Sequence, residues 1–431
     1  MPDTESQLDP AQPGPEQSFE YLENFQVSRT CSDFRDGRKP NRDAVFVADQ
    51  AYLEDVRCNG LSAPAAVGQE LGSAALDLTL GVFADPQHPG MVLSSDPMRD
   101  ALDLYLDDVK QHEAGHNYSP PRGHPEFIKR MQEWIFGNYE DVSDSLDRIA
   151  SMQSAGSVNG LFTIARFIKA GMPEFPHAPQ PNGQVFLCND TWANHRPIFA
   201  SAGFAPGAIH QTIPWLGLSP QPHYAHERTL EFILSESLCP EGSVVLLMDV
   251  DHNCSGFDAL HCDSSLSLEQ RELRAIQQLA GAIAVRQERS PIILIVDSAY
   301  LDLKRGILKD TALLRELMKH RVEFFSSVSF SKNLGLYGER LGLCSLVLRE
   351  SNRKLADSLA NGIAGEFIRP ILTSGPRFAA EQALRVDLGA QSLGNLALSS
   401  NMKGQCRRLV ERLRFYGCDK FDCWLDASGM F

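Results

Sequence analysis

The chain has 431 residues, 43% of them hydrophobic, and a formal net charge of −15. That length suits two or three domains, or one large α/β domain with a smaller companion. The acidic balance, without any basic run, excludes a nucleic-acid partner, so an anionic ligand must be held by locally placed arginines. Ten cysteines without CxxC pairs read as reduced thiols of an intracellular protein, and no apolar run reaches membrane-spanning length.

In chain order, the opening "MPDTESQLDPAQPGPEQ" is acidic and proline-rich and lacks the basic and apolar regions of a secretory signal. Residues 1–17 are expected to be a disordered tail on a cytoplasmic protein, and residues 18–62 an extension of mixed short elements with no assigned role. In "HPEFIKRMQEWIFG", Pro125 suits a first helical position, and Phe127, Met131, Trp134 and Ile135 share a face. The runs "QVFLC", "SVVLLMDV", "PIILIVDS" and "VEFFSSVSF" predict buried strands alternating with helices, which indicates a mainly parallel sheet covered on both faces. Between the second and third, "SLEQRELRAIQQLAGAI" predicts a helix with a capping box from Ser267 and Gln270 and a core stripe of Leu273, Ile276, Leu279 and Ile283.

Ligands of parallel α/β sheets sit beyond the carboxyl ends of the strands, so the residues that close each apolar run are the informative ones. They are Asn189 to His195, Asp251 to Gly256, Asp297 to Tyr300, and Ser331 with Lys332. Singly each has an ordinary explanation. Asp297 and Tyr300 could cap a turn, His195 could be a satisfied core histidine, His252 a structural one, and Trp192 a packing residue. Together they converge on one edge. Lys332 stands where a buried strand gives way to a loop, and desolvation there lowers a lysine's pKa and makes it nucleophilic. A lysine with Asp, Tyr, Asn, Trp and Arg companions suits a Schiff base with a phosphorylated aldehyde. Such a cofactor needs an amine anchor, a carboxylate on its ring nitrogen, donors to its phenolic oxygen, an aromatic face, and Arg and Ser for its phosphate; pyridoxal phosphate asks for all of these. The S-x-x-K of penicillin-recognising enzymes is also matched at Ser329–Lys332, but no SDN or KTG element accompanies it. A P-loop, an HExxH zinc site and a GxGxxG are absent from the sequence, and no metal is expected.

At these residues the chain resembles the class I aspartate/aromatic aminotransferases of fold type I. "SFSKNLGLYGERLG" is similar to their cofactor-lysine signature, and "HNYSPPRGHPEF", "TWANH", "HNCSGFD", "DSAYLDLKRG" and "IRPILTSGP" follow the family's order and spacing from about Leu76 to Phe431. The resemblance implies an α/β large domain, with a mainly parallel sheet between helices, at 97–372. It also implies a smaller α+β domain from both chain ends, at 63–96 and 373–431, and a homodimer with shared sites. It implies that Lys332 forms the aldimine with pyridoxal 5′-phosphate and shuttles the proton. Asp297 would pair with the ring nitrogen with His195 behind it, Tyr300 and Asn253 would contact the phenolic oxygen, and Trp192 would stack on the ring. Ser329 and Arg340 would hold the phosphate, with Tyr118 reaching it from the neighbouring subunit. Gly81 would meet the substrate carboxylate through its backbone, and Arg369 would take a distal carboxylate across the interface. Trp192 and Asn253 would also border the substrate.

Three departures accompany the resemblance. The phosphate segment is "SAGSVNGLF", which aligns in either of two registers, with Gly156 and Ser157 in both; backbone N–H groups at a helix start can still hold a phosphate. Cys254 and Ser255 replace a Pro-Thr pair, and Leu372 replaces a tyrosine. The sequence given stops at "DASGMF", before the family's α-carboxylate arginine, so either it is a fragment or that carboxylate is bound differently. The expected activity is transfer of an amino group between an amino acid, an acidic one if Arg369 acts, and a 2-oxo acid. The alternatives are a β- or γ-elimination, replacement or carbon–carbon bond-forming enzyme of a specialised pathway, or a non-catalytic cofactor-binding scaffold.

Overall fold

The computed structural model describes residues 95–111, 117–137, 142, 144–172, 180–217, 223–248, 268–303 and 305–415, all within one compact unit, Gly81–Phe431. The expected tail, the extension and nearly all of the 63–96 segment lie outside these residues. The helices are α1 (Asp96–Lys110), α2 (Pro125–Phe136), α3 (Gly156–Lys169), α4 (His195–Ser201), α5 (His226–Leu234), α6 (Leu268–Arg289), α7 (Ala312–Lys319), α8 (Arg353–Ile363), α9 (Arg377–Arg385) and α10 (Leu388–Phe415). They surround a seven-stranded sheet of β1 (Ile149–Ser154), β2 (Val185–Cys188), β3 (Ile209–Ile213), β4 (Val244–Met248), β5 (Ile293–Ser298), β6 (Phe324–Ser329) and β7 (Gly342–Val347). Among the described residues, no helix is long and apolar enough to cross a membrane.

The strand order is β1-β7-β6-β5-β4-β2-β3. Strands β6, β5, β4, β2 and β3 pair in parallel, and β7 runs antiparallel between β6 and β1. The four predicted strands are thus the middle of the sheet. Their near-unbroken apolar character follows from burial on both faces. Along β5, Leu294 and Val296 join the core on one side with Phe127, Met131, Ile276, Leu279, Ile283 and Leu317. Ile293 and Ile295 join the other side with Leu161, Ile164, Phe199, Leu359 and Ile363. The period of two along the strand sorts these residues to opposite faces.

Two local expectations are refined. Helix α2 begins at Pro125 as its first residue, with His124 as cap accepting from the Phe127 N–H, and Phe127, Met131, Trp134 and Ile135 are buried. In α6, Ile276, Leu279 and Ile283 are buried but Leu273 is exposed. The stripe therefore starts one turn later than its spacing suggests, and Ser267 lies outside the described residues. The core also continues beyond Leu372, because Ala379, Ala380, Ala383 and Val386 on and after α9 belong to the same cluster as the sheet.

Strands β1 and β7 bring α3 against the sheet through small residues. A Cβ on Gly342 would lie 2.6 Å from Ser154 Oγ and 2.9 Å from Gly156 Cα, and one on Gly160 would lie 2.7 Å from Ser327 Oγ. Gly342→Ala must push the start of α3 off the sheet, and overpacking of this kind costs about 1–3 kcal/mol. Urea unfolding should show a lower midpoint with an unchanged slope; an unchanged midpoint would mean that the helix start gives way freely.

Candidate active site

Strand β6 is buried along its whole length, and the chain leaves it through Phe330 and Ser331, both buried, to reach Lys332. The Lys332 ammonium lies 5.0 Å from the centre of the Tyr300 ring. Burial holds its pKa below the ordinary lysine value, Arg340 adds to the depression, and Asp297 opposes it. The neighbouring strand β5 ends on Asp297, which is 4% exposed, and on Ser298. His195, at the start of α4 and fully buried, brings Nε2 to 3.0 Å from Asp297 Oδ2, while Thr191 Oγ1 lies 2.6 Å from His195 Nδ1. Because a carboxylate only accepts, the ring donates from Nε2 to Asp297, and the Thr191 hydroxyl pairs with Nδ1 on the far side. Trp192 stands edge-on to the His195 ring, with centroids 5.6 Å apart. Asp297 Oδ1 is buried and has no hydrogen-bond partner among the described residues.

A second cluster forms where α3 begins. Gly156 takes φ +76°, a conformation that favours glycine, and a Cβ there would stand 2.4 Å from Arg340 Nη2, so a side chain would displace the guanidinium. Helix α3 has no side-chain cap, which leaves its first N–H groups for an external acceptor. Gly156 and Ser157 are both buried in its first turn, whereas Val158 is exposed. Ser327 Oγ donates to the Ser157 carbonyl at 3.1 Å, tying this turn to the strand that leads to the lysine. Arg340 has φ +54°, uncommon for a side chain of that size, and donates from Nη1 to Ser331 Oγ at 3.0 Å and to the Tyr337 carbonyl at 3.1 Å. Ser329 Oγ accepts from the Ser331 N–H at 3.2 Å.

Lys332, Asp297, Tyr300, His195 and Trp192 thus gather at one edge of the sheet, with Arg340, Ser329, Gly156 and Ser157 beside the helix start. Tyr118 is 85% exposed and Arg369 is also exposed. Among the described residues, no hydrogen bond, ion pair or ring contact links either to this group. Asn253 and Gly81, like His252, lie outside the described residues. Four contributors were given no role by sequence reasoning, although Thr191 and Ser331 stood among the strand-closing residues. Thr191 has a discernible signal in its i, i+4 spacing to His195, and Ser331 stands inside the lysine motif. Ser327 and Gln153 have none, because their roles depend on distant partners. Gln153 is fully buried; its Oε1 accepts from the His124 N–H at 2.8 Å and its Nε2 donates to the Pro376 carbonyl at 2.8 Å. It joins the segment after Tyr118 to the segment after Arg369. Gly123 and Gly375 make that approach possible, since a Cβ on either would collide with the Gln153 side chain.

The residues present fit pyridoxal phosphate. The unmatched buried oxygen of Asp297 suits a ring N–H. The uncapped helix start facing a guanidinium suits a phosphate, and the depressed amine suits an aldehyde.

Groups at the rim of the site make two testable contributions to stability. Gln153→Leu would strand the His124 N–H and the Pro376 carbonyl, and should lower stability by about 1–3 kcal/mol for each group left unsatisfied; a shift below a tenth of that in urea titration would show that the segments do not depend on it. Asp302, which ends the turn carrying Tyr300, is fully buried with φ +62°. Burial pushes its carboxyl up from 3.8 to about 6, against hydrogen bonds from Ser392, the Ile307 main chain and Asn395. Between about 3.8 and about 6 the folded chain keeps a proton that the unfolded chain has released, so this group makes stability fall as pH rises through that window. Asp302→Asn should remove that slope and raise stability at alkaline pH, by no more than about 3 kcal/mol for a shift of this size, with Tm rising accordingly. A Tm change equal in acid and alkali would count against it.

The sequence profile of the aminotransferase class I and II family matches residues 277–431. The chain is 27% identical over 324 residues to the cytoplasmic aspartate aminotransferase of Saccharomyces cerevisiae, covering 73% of this chain and 67% of that one. It is 29% identical over 280 residues to the aspartate aminotransferase of Escherichia coli, covering 64% of this chain and 60% of that one. With the Schizosaccharomyces pombe cytoplasmic aspartate aminotransferase, at 30% identity, it spans 53% of the relative, about half its length. Among solved structures, the aspartate aminotransferase from S. cerevisiae cytoplasm superposes with a TM-score of 0.69 at 24% identity, covering 93% of this chain and 87% of that one. An aromatic amino acid aminotransferase from Burkholderia pseudomallei, covalently bound to pyridoxal phosphate, superposes with a TM-score of 0.65 at 20% identity, covering 92% and 87%. Over residues 277–431 the chain is thus similar to class I and II aminotransferases, and its described fold is that of the fold-type I aminotransferase structures.

Proposed function

We propose that this chain is a pyridoxal-phosphate-dependent aminotransferase that moves an amino group between an amino acid and a 2-oxo acid, with Lys332 as cofactor anchor and proton carrier. The observation that carries the reading is the buried, unmatched Oδ1 of Asp297 at the same strand edge as a desolvated lysine amine. When bound, pyridoxal phosphate supplies the aldehyde for the amine and a protonated ring that accepts the electron pair left at the substrate α carbon.

The residues divide the work by their surroundings. Burial lowers the pKa of the Lys332 amine and so favours its neutral form, which can take the α proton of an amino acid and return one on the opposite half-reaction. Asp297 would hold the ring nitrogen, and the Thr191–His195 chain keeps Asp297 oriented. Tyr300, with Asn253, donates to the phenolic oxygen, and Trp192 offers an aromatic face. Arg340, Ser329 and the first N–H groups of α3 hold the phosphate. Ser157, buried in that first turn, supplies the hydroxyl there in preference to the exposed Val158. Gly81 and Arg369 serve the substrate's carboxylates, which makes an acidic amino acid the favoured substrate, as the names of the aspartate aminotransferase relatives suggest. Tyr118, exposed in the single chain, completes the site of a second copy in a homodimer. Those names favour amino-group transfer over elimination, replacement or carbon–carbon bond formation. The retention of Lys332, Asp297, Tyr300 and Arg340 in one constellation argues against a scaffold without turnover. The yeast relative is cytoplasmic by name, and we place this chain there too.

The test is a visible absorption spectrum of the purified chain with pyridoxal phosphate, combined with an assay of 2-oxo acid formation across a panel of amino acids. Lys332→Ala should abolish the visible cofactor band and lower turnover by at least about 10²-fold, the scale of a lost general base. Asp297→Asn should retain the band while lowering turnover comparably. A wild-type chain that develops no band would overturn the proposal. Release of a leaving group without an acceptor oxo acid would redirect it to elimination.

A further inference from the structure

Asp297 stands at the end of β5 and Lys332 just beyond the end of the adjacent β6, and one helix grips the chain that follows each. Asn333, which follows Lys332, is fully buried. Its main-chain carbonyl accepts two amide N–H groups from α10, Gln391 Nε2 at 2.8 Å and Asn395 Nδ2 at 2.8 Å. Gln391 Nε2 also donates to Asn395 Oδ1 at 3.0 Å, and Ser95, just before α1, donates its hydroxyl to Gln391 Oε1. One position along from Gln391, Ser392 Oγ donates to Asp302 Oδ1 at 2.5 Å, where the turn carrying Tyr300 ends. Gln391 and Asn395 are 2% and 1% exposed, so water is not at hand to replace either donor. Hydrogen bonds in such dry surroundings hold their geometry firmly, and an unpaired group there is costly.

The spacing of residues 391 and 395 puts both amides on one face of the helix, one turn apart, and Ser392 lies beside them. A single rigid element therefore holds the peptide after the lysine and the turn after the tyrosine. The 5.0 Å separation between the Lys332 ammonium and the Tyr300 ring is set where these two segments are pinned. Among the described residues, the charged and titratable groups facing the amine are Asp297, Tyr300 and Arg340; none of these lies on α10, so the contacts of Gln391, Ser392 and Asn395 act through position and not through charge.

We propose that Gln391, Asn395 and Ser392 are positioning residues through which α10 fixes the Lys332 amine relative to the Asp297–Tyr300 pair. This rests on the reading of Lys332 as the working amine. A shift of α10 moves both pinned segments together, whereas loss of the pins lets the lysine loop swing by itself toward water.

The experiment measures the titration midpoint of Lys332 in the full-length chain, treated with hydroxylamine to release any carbonyl adduct. Competitive acetylation with isotopically labelled acetic anhydride, read by peptide mass spectrometry across pH, reports that midpoint, with exposed Lys354 as internal reference. Gln391→Met and Asn395→Leu remove the donors at similar side-chain volume, and Ser392→Ala releases the other pin; thermal unfolding is followed in parallel. In the wild type the midpoint should lie below the reference. In Gln391→Met and Asn395→Leu it should rise toward the reference by roughly half a pH unit or more as the amine gains water, and in Ser392→Ala by less. Variants that melt earlier yet leave the midpoint unmoved would overturn the proposal, since the network would then serve stability alone. A wild-type midpoint equal to the reference would overturn the reading of Lys332 and the positioning role with it. Should Asn395→Leu fail to fold, Gln391→Met, which leaves the Asn395 bond in place, carries the comparison.

Discussion

The site depends on one carboxylate sealed at the end of a buried strand. Asp297 has a single oxygen satisfied, by a histidine that a threonine in turn orients, and the other has no partner among the described residues. Burying a carboxyl group with one oxygen unmatched is unfavourable. A fold tolerates that only where something else completes the set. The lysine opposite has the complementary problem, an amine held out of water with a guanidinium nearby. Each is poorly placed for stability, and both make chemical sense at the carboxyl edge of a parallel sheet, where chain ends converge and ligands bind.

Small residues then let a helix start come close to that edge. Gly156, Gly160 and Gly342 let α3 sit directly on β1, β6 and β7, so its N-terminus points at the same edge as the lysine and the guanidinium of Arg340 lies against bare backbone. A similar economy operates at the rim, where Gly123 and Gly375 close over Gln153 from two sides. These glycines explain, in steric terms, why "RGHPEF" and "TSGP" carry the residues they do. The helix start supplies positive potential, and the close packing converts it from a diffuse feature into one aimed at a specific place.

Much of this was legible from the chain alone. Continuous apolar runs announced β2, β4, β5 and β6 because strands buried on both faces need no polar alternation. Their closing residues announced the site, since polar groups are put at those ends only where they can be used. Strands β1 and β7 escaped detection for a matching reason. Ser151, Gln153 and Ser345 break the apolar pattern, and their burial makes sense only once Ser151 and Ser345 hydrogen-bond to each other at 2.7 Å across the sheet. Leu273 misled for the opposite reason: it has the helical spacing of a core residue, but the element that would cover it is not there to be read from a one-dimensional period.

By itself the sequence determined the α/β class, the places of the central strands along the chain, and the identities of the lysine, acid, tyrosine and arginine that meet at one edge. These are local properties: periodicity, the run of hydrophobicity, and the polar residues that close each run. Only the tertiary structure decided that Thr191 orients His195 toward Asp297, and that Ser327 and Gln153 lock the phosphate turn and the rim. It alone placed amides from a helix more than fifty residues further on against the peptide after Lys332. Such contacts join residues with no fixed separation in the chain. Their hydrogen bonds exist because packing removes water from both partners at once, and no stretch of sequence records which two groups will be dried together.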